Sequence, residues 1–231
     1  MTQLFRNIRH SLIESGRVRR YLTYAIGEIV LVVIGILIAL QINNWNGGRK
    51  ERLIERKTLN ELRVNLNFNV RSIDGFAEEQ KRLVEDLEKM IRYLDAGLPY
   101  HDSLMQLRTG LFWLEQLALS KSTYETLKNR GIEIISDDSL RLQIVDIHEN
   151  DYQNFTTLIE AIGLAFYTER ASPLAREYGT LKNMWQEPEF YYYLKNKVGW
   201  KNDLIESAQW LKTKSLDLID RIDAVLINLN R

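Results

Sequence analysis

The chain carries two kinds of apolar pattern, one unbroken and one periodic. Between Tyr21 and Ile42 nearly every residue is apolar, and the part from Ile29 to Ala39 is apolar on all sides of a helix. Beyond residue 49, apolar residues recur at alternating steps of three and four. The unbroken run is typical of a membrane-spanning helix, whereas the periodic pattern predicts amphipathic helices that pack together.

The unbroken run has the length that a membrane span requires. At about 1.5 Å per residue, residues 21–42 extend over roughly 33 Å, the thickness of a bilayer core. Tyr21 and Trp45 lie at opposite ends, where interfacial aromatic residues belong. A cleaved signal peptide and a buried helix of a soluble protein are the alternatives. Because the run is long and polar residues 43–44 replace a cleavage site, the sequence favours a transmembrane helix over residues 21–46.

The periodic pattern predicts long helices beyond the membrane. The first extends from Glu51 to Asp95 and ends before Gly97 and Pro99. Its a and d positions span five heptads and include two polar residues. These positions are Leu59, Leu62, Leu66, Asn69, Ile73, Phe76, Gln80, Leu83, Leu87, Met90 and Leu94. The last segment repeats this spacing at Leu204, Ala208, Leu211, Ser215, Leu218, Ile222, Val225 and Leu229.

Weaker signals lie between these two segments. Leucines at 104, 107, 111 and 114 suggest a third helix, and Asp137 or Asp138 can cap a fourth that continues to Phe166. A short helix over Tyr124–Arg130 would stop at Gly131. Residues 172–200 contain two prolines and many aromatic rings, and this composition predicts an irregular stretch. Its rings either pack over the end of the bundle or line a ligand site, and packing is the favoured interpretation.

These elements predict an all-α protein. One N-terminal transmembrane helix precedes an antiparallel helical bundle with long heptad-patterned helices. The expected organisation is a basic amphipathic arm over residues 1–20, the transmembrane helix over 21–46 and the bundle domain over 49–231.

The charges are distributed unevenly along a chain whose formal net charge is zero. Residues 1–20 contain five Arg and one Glu, residues 21–48 contain Glu28 alone, and residues 49–71 contain seven basic and three acidic residues. The remainder of the chain is acidic. Bulk charge therefore gives no reason to expect a nucleic-acid partner.

The basic arm is expected to contact the membrane surface. Residues 2–14 place apolar side chains on one helical face, the pattern of a helix lying in the interface. A frayed tail that only sets topology is the alternative. The residues predicted to meet anionic lipid headgroups are Arg6, Arg9, Arg17, Arg19 and Arg20. Because the segment after the span is nearly as basic, the positive-inside rule favours a cytoplasmic N-terminus and a periplasmic body only slightly.

Glu28 is the one charged residue in the span. A carboxylate there is costly and is usually paired or functional. On a helix Glu28 shares a face with Gly35 and Ala39, whose small side chains allow close approach of a second helix. These three residues are predicted to mediate self-association within the membrane. The alternative is a carboxylate that reaches the interface beside small residues that face lipid. A proton pathway is disfavoured because the span holds no second acidic residue and no His.

The block YAIGEIVLVVIGILIALQINNWN, Tyr24–Asn46, follows an Arg-rich arm and precedes a charged helix. It resembles the N-terminal signature of a family of uncharacterised single-pass bacterial membrane proteins, over roughly residues 1–57. A weaker likeness covers residues 120–148. The Gly47-Gly48 pair departs from the family's pattern and leaves open whether the helix continues beyond it. The resemblance implies a single-pass protein of the bacterial inner membrane. It implies no particular activity, because the family is uncharacterised.

The sequence contains few arrangements of residues that are typical of catalytic or metal sites. The chain has no Cys, and its three His are far apart, so the sequence predicts no metal site, no cofactor and no thiol nucleophile. Asp146, His148, Glu149 and Asp151 lie close together but do not reproduce a zinc motif, and a solvated helix face is the favoured explanation. We therefore expect no catalytic residues and no enzymatic activity.

Two functional hypotheses remain. The first is a membrane-anchored structural or interaction protein that contacts the lipid bilayer, forms homo-oligomers and binds an unidentified membrane protein. The second is a ligand-binding sensor or regulatory subunit that signals through a separate partner, an expectation that rests on analogy with other helical bundles.

Overall fold

The computed structural model describes residues 17–112 and 114–229. No β-strand occurs in these two ranges, so the predicted all-α class is confirmed. The α-helices are α1 (Arg17–Asp95), α2 (Thr109–Phe112), α3 (Ser122–Arg130), α4 (Asp138–Val145), α5 (Tyr152–Phe166), α6 (Ser172–Tyr178), α7 (Leu181–Met184) and α8 (Pro188–Leu229). Short 3-10 helices cover Asp102–Leu107 and Ile132–Ile134, and π-helical turns cover Asp146–Asp151 and Tyr167–Ala171.

The chain divides into two compact units, Met1–Leu53 and Ile54–Arg231. Helix α1 is unbroken at Gly47 and Gly48, which answers the question that the sequence left open. A Cβ atom at Gly47 would meet nothing within 4 Å, and one at Gly48 would meet only the end of the Arg52 side chain. The two glycines therefore lower helix propensity without ending the helix.

The heptad positions of α1 form the centre of the second unit. All of them from Leu59 to Met90 are buried, including the polar residues Asn69 and Gln80. On α8, the predicted positions from Leu204 to Ile222 are buried as well. The periodicity thus predicted the packed faces of both long helices correctly.

Contacts along the second unit define the helix directions. Arg63 pairs with Asp223 and Asp74 with Lys212, so α1 and α8 are antiparallel. The consecutive helical segments of residues 138–178, which we call the middle helix, run parallel to α1. Glu55 accepts hydrogen bonds from Ser136, and the ring of Phe76 packs edge-on against Phe155. The middle helix is thus parallel to α1, whereas α8 is antiparallel to α1, as expected for an antiparallel bundle in which successive elements alternate in direction.

The parallel direction arises because residues 98–137, the return segment, lead the chain back along the bundle. The helix predicted at residues 104–114 is wrong: a 3-10 turn and the four-residue α2 occupy its first part, and residues 114–121 are not helical. An extended chain covers about 3.3 Å per residue and a helix only about 1.5 Å. A long return therefore favours extended backbone over a continuous helix.

The ends of the shorter helices follow local chemistry. The side chain of Asp137 accepts a hydrogen bond from the Leu140 backbone N–H and caps α4, as predicted. Helix α3 ends at Gly131, whose φ of 105° favours glycine, and this stop was also predicted.

The irregular stretch expected at residues 172–200 is helical instead. Pro188 begins α8, a position where proline costs no intrahelical hydrogen bond, and Pro173 lies in the first turn of α6, directly after the second π-helical turn. Trp185 and Phe190 are buried in a hydrophobic cluster at this end of the bundle, and the Trp185 indole donates a hydrogen bond to the Leu98 carbonyl. These rings pack the core, which agrees with the favoured interpretation of the aromatic residues.

Candidate functional site

The first candidate site is the apolar part of α1. Its side chains from Leu22 to Asn46 are exposed, apart from the half-buried Ala25. None of the apolar window of this helix is buried against another described residue. By length and composition, this is the one helix in the described part of the chain that could cross a membrane.

Glu28, Gly35 and Ala39 lie on this exposed part of α1, on one face. A Cβ atom placed on Gly35 would meet nothing within 4 Å, so the face is open to a second helix. The structure brings no other described residue to these three. Their role in self-association stays a prediction.

The basic residues predicted to contact lipid fall in two groups. Arg17, Arg19 and Arg20 belong to the first turns of α1. Arg6 and Arg9, with the rest of the predicted interfacial helix, lie outside the described residues. The predicted contacts with headgroups therefore remain predictions.

The second candidate site is a cluster of buried charges. Lys201 Nζ lies 2.6 Å from Glu115 Oε1 and 2.8 Å from Gln80 Oε1, and it is completely buried. Lys197, one turn earlier on α8, lies 3.3 Å from the same Glu115 oxygen, with its side chain only 3% exposed. Two ammonium groups thus share one carboxylate in the interior.

Burial controls the electrostatics of this cluster. It lowers the pKa of Lys197 to about 8, an effect that Glu115 opposes and Lys201 reinforces. Burial likewise lowers the pKa of Lys201. The ammonium of Lys197 also lies 4.6 Å from the centre of the Trp200 ring, which stabilises a cation by the charge distribution of the indole.

The polar groups of the cluster are incompletely satisfied. Glu115 Oε2 and Trp200 Nε1 are buried without a hydrogen-bond partner among the described residues. Glu115 Oε2 faces the middle helix, 3.6 Å from the position that a Cβ atom on Gly163 would occupy. Unsatisfied buried polar atoms are rare in folded proteins and mark this cluster as unusual.

A cavity adjoins the cluster. It has a volume of about 480 Å³ and lies between residues 68–83 of α1 and residues 110–118 of the return segment. Gln80 and Glu115 form part of its wall, and Phe68, Phe76 and Leu114 are among its apolar lining residues.

Sequence reasoning missed the cluster, although one signal was present. Gln80 interrupts the apolar heptad of α1, which indicates a buried polar partner elsewhere. Lys197 and Lys201 flank Trp200 at helical spacing, a pattern equally typical of a solvated face. Glu115 directly follows the segment, residues 104–114, that was wrongly predicted to be helical. Its approach to the lysines depends on how residues 114–121 return along the bundle.

The acidic group around His148 is less solvated than expected. His148 is buried, stacks on the Tyr124 ring with centroids 4.5 Å apart, and its Nδ1 donates a hydrogen bond to the Ile144 carbonyl 2.8 Å away. Burial lowers the pKa of its imidazole. Glu149 accepts hydrogen bonds from Tyr124 and Lys128.

Asp146 and Asp151 complete this group, and both pair with Lys214. The prediction of a fully solvated face is thus wrong for His148, because the first π-helical turn lies against α3 and α8. Each member of the group has a structural partner. No three His, Asp or Glu side chains within residues 17–112 and 114–229 are arranged to hold a metal ion.

The fold and these sites define an all-α protein with an exposed apolar N-terminal helix and a helical body that contains a buried charge cluster. A family of unknown function, DUF6090, matches residues 28–159, which is more than half of the chain. The chain belongs to this family. The match supports the expectation of an uncharacterised family, while the N-terminal signature and the bacterial membrane location that the resemblance implied stay predictions. No curated protein and no solved structure matches the chain.

Proposed function

We propose that this protein is a membrane-anchored scaffold that self-associates through its spanning helix and presents its helical body to partner proteins. The observation that carries the proposal is the apolar part of α1, which remains exposed among the described residues. Water would oppose such a surface, whereas a bilayer would accommodate it. We place the protein in the bacterial inner membrane as a single-pass protein, with its N-terminus in the cytoplasm and its body in the periplasm.

The proposed contact between copies uses Glu28, Gly35 and Ala39. The two small residues lie one turn apart and allow the backbones of two helices to approach closely. In a dimer the carboxyl group of Glu28 can hydrogen-bond with its equivalent, which lowers the cost of a polar group in hydrocarbon. The bilayer, anionic headgroups and an unidentified membrane protein are the proposed partners. We assign the protein no reaction, no cofactor and no nucleic-acid partner.

Chemical cross-linking of the full chain in native membranes tests this proposal. We expect discrete homo-oligomers for the natural protein and their loss in Gly35→Leu, since a leucine side chain would separate the two backbones. Gly27→Leu is the matched control: its Cβ also meets nothing within 4 Å, and it lies about a quarter turn from the proposed face. Cross-linking that is unchanged in Gly35→Leu would contradict the proposed contact face.

A ligand-binding sensor or regulatory subunit is the second candidate function. It is favoured by the cavity of about 480 Å³, because scaffolding alone requires no opening in the body. Such a subunit would signal through a separate partner protein.

A further inference from the structure

A groove between α5 and α8 leaves apolar side chains uncovered. It has a volume of about 530 Å³, and the buried residues Phe155 and Leu211 form its floor. Leu158 and Trp210 also line it, and their side chains are 42% and 56% exposed. Tryptophan is enriched at protein interfaces because its ring buries much apolar surface and its N–H can still meet a polar partner. The groove is therefore a surface into which a further element can pack.

The charged groups beside the groove are acidic. No described Lys or Arg lines it, and Glu206 on its wall has no ion-pair partner among the described residues. Asp203 and Asp217 are exposed and equally unpaired. At about 100° per residue, both lie within about 20° of Trp210 around the axis of α8. Three carboxylates thus lie along the side of α8 that carries the exposed indole.

Lys214 contacts the groove residues, but its charge is already compensated. Its ammonium lies 2.6 Å from a carboxylate oxygen of Asp151, which lines the groove, and 2.9 Å from one of Asp146. The same ammonium lies 5.1 Å from the centre of the Trp210 ring. Two carboxylates outnumber this one ammonium, so it adds no positive excess to the acidic side of α8. Charge complementarity therefore selects a cationic occupant.

We propose that this groove binds a basic amphipathic helix of a partner protein, with an apolar side chain of that helix between Leu158 and Trp210 and a Lys or Arg beside Glu206. A helix laid along the groove between α5 and α8 would bury the exposed ring and leave its own basic side chains at the acidic rim. The inference rests on the proposed scaffold function, because it names the class of partner that the body binds.

The test uses the full chain in phosphatidylcholine nanodiscs and a fluorescein-labelled, Ala-rich helical peptide with two Leu one turn apart and Lys on both sides of them. Fluorescence anisotropy measures binding, and empty nanodiscs give the lipid background that is subtracted. One control peptide has the same composition in scrambled order, and another carries Glu in place of Lys. We expect the basic amphipathic peptide to bind about tenfold more tightly than the scrambled one, because only the former presents an apolar stripe. The acidic peptide should not bind.

An aromatic substitution locates the binding. Trp210→Ala should weaken it by about tenfold or more, as truncation of a central interface tryptophan commonly does. Tyr192→Ala is the matched control, because Tyr192 is 66% exposed on the same helix, about 27 Å along its axis from Trp210. It should bind the peptide normally. Both side chains are exposed, so the two variants should fold alike, which circular dichroism checks.

A charge substitution tests the acidic rim. Glu206→Gln should weaken binding severalfold at low salt and less at high salt, because added ions screen the attraction. Glu85→Gln removes the same charge from an exposed position on α1 and should leave binding unchanged. Equal binding of the scrambled peptide, or undiminished binding to Trp210→Ala, would overturn the proposal.

Cross-linking of the same variants separates this inference from self-association. We expect Trp210→Ala to keep the homo-oligomers that Gly35→Leu is expected to lose, since the groove and the spanning helix are distinct surfaces. Homo-oligomers that disappear in Trp210→Ala would assign the groove to a second copy of the chain and overturn the proposed partner. Peptide binding and the cross-linked ladder can thus fail independently.

Discussion

At the scale of single residues, the body is distinguished by the two lysines buried around Glu115. Removal of an ammonium group from water costs several kcal/mol, and a shared carboxylate compensates only one of the two charges. The lowered pKa of Lys197 expresses this cost, because the folded protein favours the neutral amine. The buried charge of Lys197 therefore destabilises the folded protein rather than stabilising it.

We predict that Lys197→Met stabilises the protein by about 1–3 kcal/mol near pH 7, since replacing a buried charge by an apolar side chain of similar length is often stabilising. The pKa of Lys197 is about 8 in the folded protein and 10.5 ordinarily. Between these values the unfolded chain binds more protons, so the stability contributed by this group rises with pH. The advantage of the variant should be complete below pH 8 and disappear towards pH 10.5.

Urea unfolding monitored by circular dichroism at a series of pH values measures both effects. Glu115 and Lys201 act on the Lys197 ammonium group, Glu79 acts on Lys201, and all three residues are retained in the variant. Lys195→Met is the matched control, because Lys195 is exposed on the same helix. A destabilising effect of Lys197→Met at pH 7 would show that its ion pair outweighs its desolvation.

At the scale of elements, the return segment is held to α1 by a side chain rather than by a helix–helix contact. Asn69 Nδ2 donates to the Ser120 carbonyl at 3.0 Å, and Asn69 Oδ1 accepts from the Ser120 N–H at 2.7 Å. The amide thus satisfies both backbone groups of a non-helical residue. This pairing explains why a polar residue occupies a heptad position of α1.

Asn69→Ala should destabilise the body by about 1–3 kcal/mol, because it leaves the Ser120 N–H and carbonyl without partners beside the core. Thermal or urea unfolding of the full chain measures the change. Asn67→Ala, at an exposed position whose amide bonds only to the Arg63 carbonyl of its own helix, should change stability by less than about 0.5 kcal/mol. Equal effects of the two variants would contradict the role given to Asn69.

At the scale of the whole molecule, the orientation in the membrane depends on two basic segments of similar strength. Arg17, Arg19 and Arg20 precede the apolar stretch, and residues 49–57 follow it. Positive residues near a span favour the cytoplasmic side, so the two segments oppose each other. The proposed orientation therefore depends on a small difference between the positive charges on the two sides of the apolar stretch.

Replacing Arg17, Arg19 and Arg20 by Gln should move a large fraction of the chains to the opposite orientation, because the remaining positive charge lies after the span. A C-terminal reporter that is active only in the cytoplasm measures this. We expect low activity for the natural chain and a clear rise for the triple variant.

The converse change is the control. Replacing Arg49, Lys50 and Arg52 by Gln should keep the reporter inactive, since it strengthens the proposed orientation. High activity of the natural chain would overturn the assignment of the body to the periplasm.

The amino-acid sequence was sufficient for features that depend on neighbouring residues. The apolar run, the heptad stripes of α1 and α8, the Asp137 cap and the Gly131 stop are each encoded within a few turns of one helix. Local periodicity and backbone conformation determine them. No distant partner is needed to recognise them.

Only the tertiary structure decided which distant groups meet. The parallel direction of the middle helix depends on the return segment, whose non-helical residue Ser120 is held by Asn69 rather than by a helical periodicity of its own. The approach of Glu115 to Lys197 and Lys201 crosses more than 80 residues of chain. Burial and pairing at such separations depend on how the helices pack, and for this reason the charge cluster and its cavity could not be predicted from local patterns.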